Sequence, residues 1–368
     1  MPDIVKRVTW MSDGRELIYF DDADTSLSPN RKPDNRTPQP RPDTPVVRQD
    51  PLTGEWISIA AARQNRAFLP PAELDPLAPS TEEFATEIPD NYDVAVFENK
   101  SPSFGPGLPP EGSDRDPDEA RGELTAIGVG RELPGYGRCE VVCFSPDRTG
   151  SWAEFSHSRA RTVVEAWADR TAALSALPGI QQVYPFENRG AEIGVTLHHP
   201  HGQIYAFPYV TPRTRGLLAA IGHYGPSLMQ DVLEFERKSE RKLLETEHFT
   251  VFVPFAARWP IEVHMLAHRQ VPDLAATTDE EREEIAVLYP RIVGALDRLY
   301  GTPTPYIAAW HQAPVHQGRA DIRLMLQVTS PRRAQDKLKY TAGSETGMGA
   351  FIGDIVPEAA AARLREVL

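Results

Sequence analysis

The chain has 368 residues, of which 40% are hydrophobic and 25% charged, and its formal net charge is -13. The length lies between one large domain and two ordinary ones, and no apolar run is long enough to cross a bilayer. We therefore expect no membrane as a partner. Because the negative charge would repel a nucleic-acid backbone, we expect no nucleic acid either. Basic side chains must hold any anionic substrate locally. Residues 1–7 show no apolar core before a cleavage site, so we expect a cytoplasmic protein.

Residues 1–45 are expected to form an N-terminal extension and a Pro-rich linker. The stretch 29–45 is rich in Pro, Asp, Asn and Arg and has no hydrophobic period, which is typical of a linker. We therefore place the start of the fold near Val46, a first domain over 46–212 and a second over 217–368.

The rest of the chain predicts clustered strands and three helices. Short apolar runs predict strands over 94–97, 139–144, 194–197, 203–207, 250–254, 263–267 and 324–329. Apolar periodicity predicts helices over 158–177, 227–246 and 279–300, the last capped at 277–278 and kinked or shortened at Pro290. This repetition predicts two related α+β halves. We expect Cys139 and Cys143, four apart on one strand, to be buried reduced thiols.

The densest group of chemical residues lies at 186–190 (FENRG), 194–197 (GVTL) and 198–203 (HHPHGQ). Residues two apart on a strand share a face, Pro200 restricts the backbone, and Gly202 would let a phosphate approach closely. A neutral imidazole at His201 can attack phosphorus and later leave, so it suits reversible group transfer.

Several neighbouring groups could stabilise the transferred phosphoryl group. Gln203 offers an amide, and further donors come from Asn188, Arg189 and the backbone of Gly190 and Gly194. Histidines with alternate spacing are also common as metal ligands or as hydrogen-bonded core residues. The following Gly-Gln and the upstream Asn-Arg-Gly favour His201 as a nucleophile.

Residues 199–203, preceded by the FENRG run, resemble the active-site signature of galactose-1-phosphate uridylyltransferases, a branch of the histidine-triad superfamily. Further similarity lies at 50–56, 144–147, 245–248, 310–314 and 339–345, so that the resemblance covers roughly 46–357. It implies two histidine-triad-like halves, each an antiparallel sheet with packed helices.

The resemblance also implies a ping-pong reaction in which His201 takes UMP from UDP-glucose and yields it to galactose 1-phosphate. In that reaction the backbone carbonyl of His199 orients His201, and Gln203 contacts the transferred phosphoryl group. The other residues that it implicates in substrate binding are Arg63, Arg66, Asn99, Asn188, Arg189, Gly194, Thr196, Lys339, Gly343 and Glu345. The last three match a segment that the family inserts into the neighbouring subunit, which implies a homodimer with shared active sites. Without the resemblance, Arg63 and Arg66 are ordinary surface residues, Asn99 caps a turn, and Lys339 and Glu345 form a surface pair.

The chain departs from the family at positions that bind metal in many relatives. Asp75 and Ala78 stand where two thiolates bind zinc, Arg148 replaces a ligand histidine, and only His199 remains of that set. At a second site His311 is present, but Met325 and Gln327 replace two histidines. We therefore expect no zinc, no iron and no other cofactor.

Two further departures concern substrate choice. Lys100 replaces an acidic residue near the ribose, and Ser344 replaces a tyrosine near the hexose. The alternatives that stay open are transfer to another sugar 1-phosphate, a nucleotide-sugar phosphorylase of the same superfamily, and a catalytically silent nucleotide-sugar binding protein.

Overall fold

The structure, a computed structural model, describes residues 3–65, 71, 74–109, 116 and 125–368. Its strands, in chain order, are β1 Val5–Trp10, β2 Glu16–Asp21, β3 Val46–Gln49, β4 Trp56–Ile59, β5 Val94–Glu98, β6 Thr125–Ile127, β7 Gly130–Pro134, β8 Arg138–Cys143, β9 Gln182–Arg189, β10 His201–Phe207, β11 Lys242–Glu245, β12 Phe249–Phe252, β13 Ile261–Ala267, β14 Tyr306–His311, β15 Met325–Ser330, β16 Arg332–Ala334 and β17 Lys337–Leu338. Its helices are α1 His157–Ser175, α2 Pro212–Tyr224, α3 Leu228–Arg237, α4 Asp279–Tyr300, α5 Gly343–Met348 and α6 Pro357–Arg365.

One antiparallel sheet organises the described part of the chain, in the order β1-β2-β5-β8-β10-β9-β14-β15-β13-β12-β11. The first six strands come from the N-terminal half and the other five from the C-terminal half. The two sets join where β9 pairs with β14, with Phe186 opposite Ala309. The predicted fold class is therefore confirmed, and the sheets of the two halves form one continuous sheet.

Helices α1 and α4 pack against each other and cover one face of this sheet. Alternation along β10 directs Ile204 and Ala206 into that core, where they join Trp167 of α1 and Tyr289 of α4. His201, Gln203 and Tyr205 lie on the opposite face. At β10 the sheet thus has one buried apolar face and one face that carries polar side chains.

The expectation that residues 1–45 lie outside the fold is wrong. Strand β2 lies between β1 and β5 in the main sheet, and Leu17 and Ile18 are buried on its two faces. The sequence does not reveal this pairing, because the Pro-rich stretch that follows β2 separates it along the chain from its partner β5. Within the first 45 residues, the long stretch 22–45 between β2 and β3 contains no helix or strand, as expected of a linker.

Three further predictions need correction. The helix predicted over 227–246 ends at Arg237, and the chain then turns into β11, which pairs with β12. Residues 194–197 form no strand, since Gly194 has a φ of +82° that an extended strand cannot accommodate. Helix α4 runs through Pro290 to Tyr300 without being shortened.

Other predictions are confirmed. The Thr278 side chain accepts a hydrogen bond from the backbone N–H of Glu281, and Glu281 accepts one from that of Thr278, so α4 begins with the predicted cap. Cys139 and Cys143 are buried and free. Within the described ranges, no helix has the length and apolar character needed to span a bilayer.

Candidate active site

His201 is the first residue of β10, and its ring is held by the main chain just before the strand. Its Nδ1 lies 2.7 Å from the carbonyl oxygen of His199. Because a carbonyl oxygen can only accept, Nδ1 carries a proton, and in the neutral form of the ring Nε2 is then the unprotonated nitrogen. This tautomer is suited to nucleophilic attack through Nε2.

Two adjoining cavities meet at His201. The smaller one, of about 180 Å³, is lined by Arg63, Phe186, Asn188, Gly194, Val195, Thr196, His201, Gly202, Gln203 and Tyr205. The larger one, of about 370 Å³, also contains Asn188 and His201 and extends past Arg189 and Gly190 towards 303–306. Several residues that the sequence singled out are therefore assembled around one imidazole. The side-chain Oε1 of Gln203 is buried and has no hydrogen-bond partner among the described residues.

Gly202 lines the smaller cavity and also has a packing role. It faces the core side of β10, where a Cβ atom would lie 2.8 Å from the ring of Phe144 and 2.9 Å from the carbonyl oxygen of Phe186. A larger residue here would push β10 away from its neighbours. The glycine therefore lets the strand that carries His201 pack closely on the core.

Strand β9 brings the FENRG residues beside β10, with Glu187 opposite Gly202. The Glu187 carboxylate is buried and accepts hydrogen bonds from Trp152 Nε1 (2.8 Å), Tyr289 OH (2.7 Å) and Tyr306 OH (2.8 Å). Burial raises the pKa of Glu187, although these three donors oppose the shift. Sequence reasoning missed this carboxylate as an anchor, because its donors are 35, 102 and 119 residues away.

Arg189 is already engaged in an ion pair. Its Nη1 lies 3.0 and 2.8 Å from the two carboxylate oxygens of Asp297, and its guanidinium carbon lies 5.6 Å from the ring centroid of Tyr306. Gly190 follows with a φ of +106° and lies against Pro305. The turn after β9 thus places Arg189 at the border of the larger cavity with its charge balanced by Asp297.

The other N-terminal residues that the resemblance implicates are distributed unevenly. Arg63 lines the smaller cavity and donates from Nη1 to the carbonyl oxygen of Ser101 at 3.2 Å. Arg66 lies outside the described residues. Asn99 does not line either cavity, and its side-chain oxygen accepts from the backbone N–H of Ser101 at 2.9 Å, as a turn-capping residue does.

The C-terminal segment does not reach the cavities of its own chain. Lys339 is buried, with Nζ 3.3 Å from the carbonyl oxygen of Arg258 and 3.5 Å from Glu345. Helix α5 begins at Gly343, and Glu345 accepts the backbone N–H of Ala342 at 3.2 Å. Lys339 and Glu345 therefore hold this segment in shape within one chain.

The residues at the first metal position do not fit zinc. Ala78 has no ligand atom, and both ring nitrogens of His199 are already in contact with acceptors, namely Asp75 Oδ2 and the carbonyl oxygen of Ser145, each at 2.7 Å. The burial of Asp75 disfavours its charged form, but the hydrogen bond and charge of His199 outweigh it and lower the Asp75 pKa. A tetrahedral site would need donors that these positions lack.

The second metal position is likewise filled by hydrogen bonds between protein side chains. His311 Nε2 lies 3.1 Å from Gln327 Oε1, which also accepts from Arg213 at 2.7 Å. Burial, and next the charge of Arg213, lower the pKa of His311 to about 3. In the described part of the chain, the one group of three ligating side chains within 4.8 Å of one another is Glu247, His248 and Glu284, which belongs to neither position.

Comparisons with known proteins show which family the chain belongs to. Residues 24–211 match the family model described as galactose-1-phosphate uridyl transferase, N-terminal domain, and residues 219–368 match the C-terminal domain of the same family. The chain is 41% identical to galactose-1-phosphate uridylyltransferase of Streptomyces lividans, with 98% of each chain covered. It is 35% identical to that of Thermotoga maritima, with 87% of this chain and 98% of the relative covered.

Solved structures show the same architecture. A structure of uridylyltransferase, 30% identical, superposes with a TM-score of 0.75 over 88% of this chain and 98% of its own. An ADP-glucose phosphorylase from Arabidopsis thaliana, 22% identical, shares the fold with a TM-score of 0.63 over 88% of this chain and 99% of its own. The chain is thus a nucleotidyltransferase. It belongs to the galactose-1-phosphate uridylyltransferase family.

Proposed function

We propose that this chain transfers UMP from UDP-glucose to galactose 1-phosphate in a ping-pong reaction with His201 as the nucleophile. Nε2 of His201 attacks the α-phosphorus, the bond from that phosphorus to the bridging oxygen breaks, and glucose 1-phosphate leaves. An oxygen of galactose 1-phosphate then attacks the same phosphorus and breaks the N–P bond, which forms UDP-galactose. The 2.7 Å hydrogen bond from His201 Nδ1 to the His199 carbonyl carries this proposal, because it selects the nucleophilic tautomer beside the cavity.

The surrounding groups provide positive charge and hydrogen-bond donors for the transferred phosphoryl group. Arg63 lines the same small cavity as His201, Asn188 lines both cavities, and the Gln203 amide lies on the same face of β10. Because catalysis of phosphoryl transfer is mainly positioning and electrostatic stabilisation, these groups suit the reaction. Gly194 and Thr196 also line the smaller cavity, where they offer a backbone N–H and a hydroxyl.

The direct test is an exchange assay with UDP-glucose and a series of acceptors. We expect UDP-galactose to form, and glucose 1-phosphate to be released beyond one equivalent per active site, only when galactose 1-phosphate is present. Faster turnover with another sugar 1-phosphate would reassign the acceptor, and efficient turnover with inorganic phosphate would identify a phosphorylase. Absence of exchange with every acceptor would contradict transferase activity.

We also propose that the enzyme works without a metal cofactor. Asp75 and Gln327 hydrogen-bond to His199 and His311, the histidines at the two positions where relatives hold metal. Extensive dialysis against a chelator should leave both the exchange rate and the melting temperature unchanged. Stoichiometric zinc or iron that resists dialysis, found by elemental analysis, would contradict this prediction.

A homodimer with shared sites is the third part of the proposal. The segment with Lys339, Gly343 and Glu345 is held in shape by its own contacts, while the neighbouring Tyr340 is 74% exposed and able to contact a partner. Mixing a His201→Gly chain with a Glu345→Gln chain should restore about a quarter of wild-type activity. Half of the randomly formed dimers contain one chain of each kind, and each of these mixed dimers has one intact site out of two. No recovery after verified subunit exchange would contradict shared sites.

A further inference from the structure

The side chain of His199 lies in a closed, polar pocket behind the nucleophile. It is fully buried, with Nδ1 2.7 Å from Asp75 Oδ2 and Nε2 2.7 Å from the carbonyl oxygen of Ser145. A carboxylate accepts hydrogen bonds, so Nδ1 donates to Asp75, and this contact fixes one edge of the ring. The orientation of the His199 ring is therefore set by Asp75 on one side and by the Ser145 carbonyl on the other.

Tyr92 closes the same pocket from β5's side of the sheet. Its buried hydroxyl lies 3.0 Å from His199 Nε2, 2.8 Å from the carbonyl oxygen of Leu77 and 2.9 Å from that of Ser145. The Asp75 carboxylate also accepts the backbone N–H of Leu77 at 2.9 Å. The loop that carries Asp75 is thus tied to the His199 ring at several points.

This pocket determines where the main chain of His199 lies. Pro200, the next residue, has a restricted φ, and its carbonyl oxygen accepts the backbone N–H of Phe144 at 3.1 Å. The contacts of the His199 ring on one side and of Pro200 on the other restrain the direction in which the His199 carbonyl points. That carbonyl accepts the hydrogen bond from His201 Nδ1.

We propose that Asp75 is a positioning residue for the uridylylation reaction, acting through the His199 ring and carbonyl to hold His201 as the Nδ1-protonated tautomer. This inference rests on the proposed function of His201. Asp75 and its hydrogen bonds take the part that a metal ion would have in fixing the His199 ring. Tyr92 supports the same arrangement from a second direction.

The test compares Asp75→Ala with Asp273→Ala. Asp273 is a matched control because it is similarly buried and lines neither cavity. One of its carboxylate oxygens accepts a hydrogen bond from the backbone N–H of Ala276 at 2.9 Å, and the other accepts one from Arg319 at 2.6 Å. We expect Asp75→Ala to slow single-turnover uridylylation by about a hundredfold, as a nucleophile displaced by roughly 1 Å would be, with little change in the KM for UDP-glucose. Asp273→Ala should keep the wild-type rate, and Asp75→Asn, which retains an acceptor, should recover part of it.

A second readout follows the tautomer itself. The ring nitrogens of ¹⁵N-labelled His201 in the substrate-free protein should show protonation at Nδ1 in the wild type and in Asp273→Ala, and a mixture of tautomers in Asp75→Ala. If Asp75→Ala does not fold, Tyr92→Phe, which removes only the hydroxyl, should show both effects in weaker form. The proposal would be overturned if the folded Asp75→Ala or Tyr92→Phe protein were uridylylated at the wild-type rate and kept His201 protonated at Nδ1. A wild-type protein that is not uridylylated would instead refute the proposed function, and the tautomer comparison would still decide the role of Asp75.

Discussion

Replacing His201 by Gly is expected to abolish UMP transfer while leaving the fold intact. The ring faces the cavities at the start of β10 and makes no part of the apolar core, so its loss removes the nucleophile without opening a cavity in the packed interior. Wild-type protein incubated with UDP-glucose alone should gain the mass of one UMP, on an acid-labile N–P bond. The variant should gain none, and added imidazole should restore part of the transfer.

The control for this variant is His316→Gly, which removes an exposed histidine that lines neither cavity. It should become labelled at the wild-type rate. Peptide mapping that finds UMP on His199 or His311, or on no residue of an active wild-type enzyme, would show that His201 is not the nucleophile.

Replacing Gln203 by Ala is expected to slow transfer by about a hundredfold to a thousandfold, the usual cost of one preorganised donor to a developing oxyanion. The Gln203 amide lies on the cavity side of β10, two residues from the nucleophile, and its Oε1 has no hydrogen-bond partner within the described residues. If the Gln203 amide rotated by 180°, its Nε2 would lie where Oε1 lies now and could donate a hydrogen bond to the phosphoryl group. Because His201 remains, the UMP adduct should still form, although slowly.

Two comparisons make this prediction specific. Gln203→Glu keeps the shape but adds a negative charge near the phosphoryl group, so it should be slower than Gln203→Ala. Gln230→Ala removes the same kind of side chain from α3, away from both cavities, and should transfer UMP normally. A Gln203→Ala enzyme with wild-type single-turnover rates would show that the amide gives no stabilisation in the transition state.

The two variants should therefore differ in kind as well as in size. Loss of His201 removes the covalent intermediate, whereas loss of Gln203 lowers the rate at which it forms and decays. A burst of glucose 1-phosphate release on mixing with UDP-glucose separates the two cases. It should be absent without His201 and present but slow without Gln203.

The sequence by itself determined the His-Pro-His-Gly-Gln motif, α1, the cap of α4 and most strands of the main sheet. These features depend on residues close together in the chain, since apolar period, capping residues and the His-Pro-His-Gly-Gln spacing are local patterns. That Ala78 and Gln327 replace the metal-binding side chains of relatives also follows from the sequence, because it depends only on the chemistry of single side chains.

The tertiary structure alone decided what surrounds that motif. Asp75 meets His199 across 124 residues, and Tyr92 meets it across 107; no local pattern predicts such a contact, because the contact exists only once the strands are ordered in the sheet. For the same reason, the sequence does not show that β2 pairs with β5, from which a Pro-rich stretch separates it along the chain. Nor does the sequence show the packing role of Gly202, because that role depends on where Phe144 lies in the folded core.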